Sequence, residues 1–320
     1  MVNRRLLRIK AMQVLYAQLK NTDKTIATAE NELKHSVGKS YELYLLVFNL
    51  LRNFRVRAEM RCEHLQTLPI FEKEEYNKLL PLAQNPFFIA LCDSTSLDSA
   101  IDAYPSPWDE NDTITAQLFQ AFIASEEYAK FYSKDNSFSS GKKLADQYLT
   151  ENLLADDNFH DTLEEMNIYW NDDVAFALPA VKKTIRRFKE GDILGFQVLP
   201  LYANADDEAF GLRLVRRTIA TAQKYDEKIR SLARNWEFDR ISDMDLLILR
   251  LGIIEAAEFP FTHEKILLNE YIDMAKFYSS EKSGSFINGI LHRIYVDLQK
   301  EGVIKMQVEG SVTDKEASND

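Results

Sequence analysis

With 320 residues the chain is long enough to bury a large core, and its 46% apolar content separates it from disordered sequences. Ten glycines and eight prolines favour long helices over a turn-rich β fold, and two cysteines, Cys62 and Cys92, exclude a disulfide framework. The net charge of −11 speaks against nucleic acid only until it is divided: residues 1–36 hold seven Lys/Arg against three Asp/Glu (+4), residues 37–205 sixteen against 26 (−10), and residues 206–320 sixteen against 21 (−5).

Residues 3–20 read as the first helix, with Leu7, Ala11, Val14 and Leu15 as its buried stripe. At about 100° per residue, Arg4 and Arg8 point nearly the same way as Ala11 and Leu15, so they overhang the core edge at the first turn. Cations at a helix N-terminus oppose the macrodipole, and a bound phosphate would relieve that. The plainer reading, a solubilising basic terminus, stands beside it; the geometry alone leaves both open.

A second long helix is expected over residues 37–68, on Leu43, Val47, Leu50, Leu51 and Phe54. Its arginines, Arg52, Arg55, Arg57 and Arg61, read as a solvated face ahead of an RNA contact. From Pro69 to Pro200 the chain turns proline-rich and acidic, with helices expected over 73–84, 113–132, 142–154 and 172–189 and a turn over Asp135–Gly141. Trp108 and Trp170 imply a packed core there rather than a linker.

Residues 206–236 read as one helix, on Phe210, Leu214, Ile219, Tyr225, Ile229 and Leu232. Three more follow. The first opens at Ser242, which has capping-box spacing to Asp245, is apolar on nearly all sides from Met244 to Ile253, and ends at Pro260. The second, capped by Thr262, carries the stripe Leu267, Tyr271, Met274 and Tyr278, and after a polar turn over Ser279–Ser285 the third presents Phe286, Ile290 and Ile294. Residues 299–320 read as a disordered tail.

The segments Leu249-Arg-Leu with Ile254-Glu, Leu268-Asn-Glu, Ala275-Lys-Phe and Phe286-Ile-Asn-Gly-Ile-Leu, in that order and spacing, resemble the C-terminal half of the NusB family. Arg4-Arg5, Arg8, Ala11, Gln13 and Leu15-Tyr16 resemble its opening, as does the 206–236 helix its counterpart. The resemblance implies an all-α NusB-like helical bundle, residues 1–36 and 206–298, enlarged by a helical insertion over 37–205 that ordinary members lack. It implies transcription antitermination on boxA-type ribosomal RNA, together with a NusE-like small-subunit ribosomal protein and the transcription elongation complex. The RNA surface would join the first helix to the start of the Phe-Ile-Asn-Gly helix. Arg4, Arg5, Arg8 and Lys10 would supply charge, Tyr16 and Phe286 stacking, and Gln13, Ser285 and Asn288 hydrogen bonds. Phe286 fits a core position equally well, and Asn288 a cap or interhelical bridge beside a Gly289 that lets helices approach. Asp245 is the candidate partner contact. Two departures from the family pattern bear on RNA affinity: Leu6 and Leu7 interrupt the arginine run, and Lys282 and Gly284 stand where members often carry acidic and larger residues.

The sequence offers no glycine-rich phosphate loop, GxSxG elbow or HExxH, and its five histidines lack ligand spacing. A non-enzyme without cofactor or metal is expected. The basic N-terminus lacks a signal-peptide core and no apolar run reaches membrane length, so a cytoplasmic protein without a membrane partner is expected. Two other readings stay open: a protein-interaction scaffold that no longer binds RNA, and an RNA-modifying enzyme with its activity in the insertion.

Overall fold

The computed structural model describes residues 1–19, 25–105, 108, 112–233, 241–259 and 262–304. In chain order the helices open with α1 (Arg4–Leu19), α2 (Ile26–Thr67), α3 (Lys73–Ala83), α4 (Pro86–Cys92) and α5 (Thr95–Ala103). They continue with α6 (Asp112–Ala124), α7 (Glu126–Tyr132), α8 (Phe138–Glu151), α9 (Asp157–Met166) and α10 (Val174–Arg187). The last are α11 (Ala205–Thr221), α12 (Asp226–Leu232), α13 (Asp243–Glu258), α14 (Glu264–Tyr278) and α15 (Ser283–Lys300). The fold is all-α: among the described residues, extended pairing is confined to an isolated parallel bridge between Val2 and Tyr202. No described helix is long and apolar enough to cross a membrane.

The chain forms two compact units, one of Met1–Val2 and Ser36–Ala203, the other of Asn3–His35 and Asn204 onward. In the first, α2 is the central element. Between Tyr41 and Leu51 every residue but Glu42 and Asn49 is buried and apolar, so the helix needs neighbours on all sides. Phe54 stacks on Phe122 with centroids 4.6 Å apart, and Phe48 meets Phe196 edge-on at 5.1 Å. Both tryptophans bury their rings and spend their N–H on α2, Trp108 on the carbonyl of Leu46 at 2.9 Å and Trp170 on that of Lys39 at 2.8 Å. The α2 arginines are half-exposed and each is held by a partner rather than gathered into a basic face. Arg52 donates to the Cys92 carbonyl at 2.9 Å and Arg55 to that of Ala83 at 3.1 Å, each at the end of a helix where carbonyls lack partners. Arg57 binds Asp112 and Thr115, and Arg61 chelates Glu75 through two bonds of 2.8 Å.

In the second unit α13 holds the centre, buried from Leu247 to Ala256 except at Arg250, with α1, α11, α14 and α15 packed around it. A side chain at Gly252 would come within 3.0 Å of Leu291 and 3.3 Å of Tyr271, so the glycine sets how closely α14 and α15 approach. Arg250 is held by Asp226 at 2.7 and 3.0 Å.

Several expected boundaries shift, mostly at caps. The second helix starts at Ile26 rather than 37, because Thr25 and Thr28 cap each other's amides at 3.1 and 3.2 Å. Ser125 ends the expected 113–132 helix and caps α7 through Tyr128 N at 3.2 Å. The expected turn over 135–141 is cut short by Ser137, which caps α8. The expected 206–236 helix breaks into α11, a 3₁₀ turn over Ala222–Tyr225, and α12. His263 caps α14 in place of Thr262, whose hydroxyl is buried without a partner among the described residues. The helices α4, α5 and α9 had no counterpart in the reading of the sequence. Pro260 and most of the tail expected over 299–320 lie outside the described residues, while α15 runs on to Lys300.

Candidate nucleic-acid interface

The α1 helix starts on a cap: Asn3 Oδ1 accepts from Leu6 N at 2.9 Å. Arg4 and Arg5 follow on the surface, with side chains 45% and 48% exposed. Arg4 lies 3.3 Å from Asp207 and over the ring of Phe210 at 5.2 Å, so α11 supplies both a counter-charge and an aromatic face. Arg5 reaches α14, 3.5 Å from Asp273 and 3.9 Å from Glu270.

Arg8 leaves the surface. One turn after Arg4, its guanidinium enters the core, donating to the two oxygens of Glu255 at 2.8 and 2.6 Å, with Glu270 at 3.6 Å. Burial alone would lower its pKa, but the hydrogen bonds and charge of Glu255 outweigh burial and hold it above the usual range. Tyr271 donates to the same carboxylate at 2.7 Å, and burial, with Glu255 beside it, pushes that phenol well above its ordinary pKa. The expectation of a phosphate contact at Arg8 is therefore corrected: its donors are spent on joining α1 to α13. Lys10 is likewise buried, 1% exposed, and does not present its ammonium to a ligand. Gln13 and Tyr16 are half-buried along the same helix.

At the start of α15, Ser285 and Asn288 are exposed, whereas Phe286 is buried in the stripe with Ile290 and Ile294. Of the two readings of Phe286 the structure selects the core, and a base cannot stack on it. Gly289 is exposed and a side chain there would meet nothing within 4 Å, so close helix approach does not explain it. That role belongs to Gly284, where a side chain would come within 3.0 Å of Lys276. Asp245 is also corrected: its carboxylate is buried, one oxygen accepting from Ser283 at 3.1 Å and the other without a hydrogen bond among the described residues. It ties α13 to the start of α15 rather than presenting itself to a partner.

A polar strip results, running from Arg5 through Asp273 and Lys276 (3.7 Å apart) to Gly284 and so to Ser285. Beside it stands Phe277, 78% exposed and tilted against Tyr278 at 5.3 Å. Reading the sequence for sites missed Phe277 and Asp273. A signal existed: both fall off the expected stripe Leu267, Tyr271, Met274 and Tyr278, and an aromatic off-stripe is an exposed one. With Arg4 beside Arg5 on the first turn of α1, the surface combines two half-paired arginines, amides and hydroxyls, and an uncovered ring. Among the described residues no group of three His, Cys, Asp or Glu is placed to hold a metal.

Comparison with known proteins gives a consistent picture. The sequence model described as "NusB family" matches residues 154–296, beginning inside the segment expected to be the insertion and leaving α1 outside the match. Over 114 residues the chain is 33% identical to the transcription antitermination protein NusB of Salinibacter ruber, which covers 36% of this chain and 71% of that protein. It is 40% identical over 87 residues to the NusB of Natranaerobius thermophilus, 27% of this chain and 63% of the relative. With the NusB of Chloroherpeton thalassium it shares 30% over 141 residues, 43% of this chain and 64% of the relative. The last two matches thus span under two thirds of the relatives' length. No solved structure matches.

Proposed function

The chain belongs to the NusB family, and from that premise we propose that it acts in transcription antitermination by binding a boxA-type RNA together with a NusE-like ribosomal protein, as part of the transcription elongation complex in the cytoplasm. The observation that carries the reading is the strip from Arg4 and Arg5 to Ser285 and Asn288. It combines cations at the first turn of a helix with exposed hydrogen-bonding side chains and, in Phe277, an open aromatic face. Gly289 supports it: glycine within a helix costs about 1 kcal/mol relative to alanine, and no packing here explains it, whereas a ligand approaching the backbone next to Asn288 would. In this reading Arg4 and Arg5 contact phosphates, Phe277 and Tyr16 stack, and Gln13, Ser285 and Asn288 read base edges. Arg8, Lys10 and Phe286 hold the surface in place from beneath. Asp245 supports the same surface by fixing the start of α15.

One observation favours a second reading. Both exposed arginines already have carboxylate partners, as they would on a scaffold that no longer binds RNA. Binding of a boxA-type RNA over a salt series, with and without a NusE-like protein, separates the two. The antitermination reading expects binding that weakens with salt and is lost in Arg4→Gln/Arg5→Gln. Binding that is absent even with the partner leaves the scaffold, and binding indifferent to the double variant puts the RNA contact away from Arg4 and Arg5.

A further inference from the structure

Residues 37–205 carry 26 acidic and sixteen basic side chains, yet seven of those cations lie on α8 and at the end of α10. Three are structural. Lys142 donates to the carbonyls of Arg186 and Phe188 at 2.9 and 2.7 Å, closing the end of α10. Arg186 pairs with Asp146 at 2.9 Å, and Lys182 bonds Thr150. Lys143, Lys183, Arg187 and Lys189 remain. All four side chains are exposed, and none makes a hydrogen bond or ion pair to a described residue. Cations at a helix C-terminus complement its dipole, but Lys142 already satisfies the last carbonyls, so the others exceed what the helix needs.

Arg187 is also a wall of a cavity of about 550 Å³, within the range of small-ligand sites. Its far side is the loop 191–199, whose turns use Gly191 and Gly195 in left-handed conformations (φ 76° and 64°). Arg187 gives the cavity donors, and Asp192 and the amide oxygen of Gln197 give it acceptors, the Thr184 hydroxyl and the Gln197 Nε2 being spent on the carbonyls of Ala180 and Leu194; Val198 and Leu199 give it apolar wall. Unpaired cations beside a concave site with apolar walls and mixed hydrogen-bonding groups match the needs of a single-stranded nucleic acid. Phosphates follow the charge, and one unstacked base turns inward.

We propose that the end of α10 is a single-stranded RNA site, with backbone phosphates on Lys183, Arg187 and Lys189 and a base in the adjoining cavity. It stands independently of any RNA contact at α1. A purely acidic peptide would satisfy the cations but has no planar group for the cavity.

The test uses the full-length chain and a photoreactive oligouridine. In Lys183→Gln/Arg187→Gln/Lys189→Gln, binding at low salt is expected to fall on the order of tenfold, and the slope of log affinity against log salt to flatten by about two, as three lost phosphate contacts require. Wild type is expected to cross-link within residues 187–199. Val198→Trp, which narrows the cavity without changing charge, is expected to lose that cross-link while keeping the slope. Unchanged affinity and slope in the triple variant, or cross-links confined to other residues, overturn the proposal. So does a site that polyglutamate occupies and oligouridine does not, which would assign it to an acidic protein partner.

Discussion

Arg8 and Glu255 join α1 to α13 through a two-bond ion pair of 2.8 and 2.6 Å, with side chains 5% and 0% exposed. The pair is a specification as much as a stabiliser. Desolvating two charges costs nearly what their attraction returns, but removing one leaves the other buried and uncompensated. Arg8→Met is therefore expected to destabilise the protein by about 3–5 kcal/mol, and Arg8→Met/Glu255→Leu to recover most of that. Urea unfolding of both variants checks this. A stable Arg8→Met protein would contradict the structural role given to Arg8.

The exposed arginines lead to a different expectation. If Arg4 and Arg5 contact phosphate, RNA must displace Asp207 and Asp273 from them, and such exposed pairs are weak. Asp207→Asn and Asp273→Asn should each raise RNA affinity about two- to fivefold, with little effect on stability. Fluorescence anisotropy with a boxA-type RNA is the measurement, and weaker binding in both variants would make the carboxylates part of the ligand site instead.

Two glycines should behave in opposite ways. A methyl group at Gly141 would lie 2.0 Å from Oδ1 of Asn85, the atom that caps α4 by accepting from Phe87 N at 3.0 Å. Gly141→Ala should cost about 1–3 kcal/mol, through crowding and a disturbed cap. Gly289→Ala meets nothing and should stabilise α15 by about 0.5–1 kcal/mol. If the surface beside Asn288 binds a ligand, the same change should weaken binding. Thermal unfolding read alongside RNA affinity separates the two effects.

The fold class and the last three helices were legible because α13 is apolar on nearly every side and α14 and α15 keep strict stripes. What the sequence hid were decisions made by partners far along the chain. Periodicity put Arg8 at the edge of the core but could not show that Glu255, 247 residues away, would draw it inside. The same holds for Asp245, whose spacing from Ser242 is that of a capping box although its carboxylate turns to Ser283. Boundaries failed where one hydroxyl decides them, at Thr25 and Ser125. The short helices α4 and α5 went unseen because seven to nine residues are too few to display a period. Phe277 was passed over for a simpler reason: the motif drew attention to Phe286, which the structure buries, while the stripe of α14 already predicts an exposed Phe277.

The phenols of the first unit predict how it fails in alkali. Tyr44 is buried, lying 2.8 Å from Thr184 Oγ1 and accepting from Leu199 N at 2.9 Å; burial pushes it up to about 12, against the lowering effect of those two bonds. Burial raises Tyr41, Tyr128 and Tyr148 as well, above an ordinary value of about 10. In each case the folded state holds its proton more tightly than the unfolded chain. This stabilisation is complete below about pH 10 and is lost as pH rises through the folded-state values. These phenols should therefore ionise together with cooperative unfolding, from about pH 10 upward, rather than one by one in a folded protein. Tyrosinate absorbance and far-ultraviolet dichroism, followed in parallel, should change at one midpoint. Tyr44→Phe should move that midpoint upward while lowering stability at neutral pH by about 1 kcal/mol through the lost hydrogen bonds. Gradual ionisation near pH 10 with helicity intact would show that these rings are reached by solvent without unfolding.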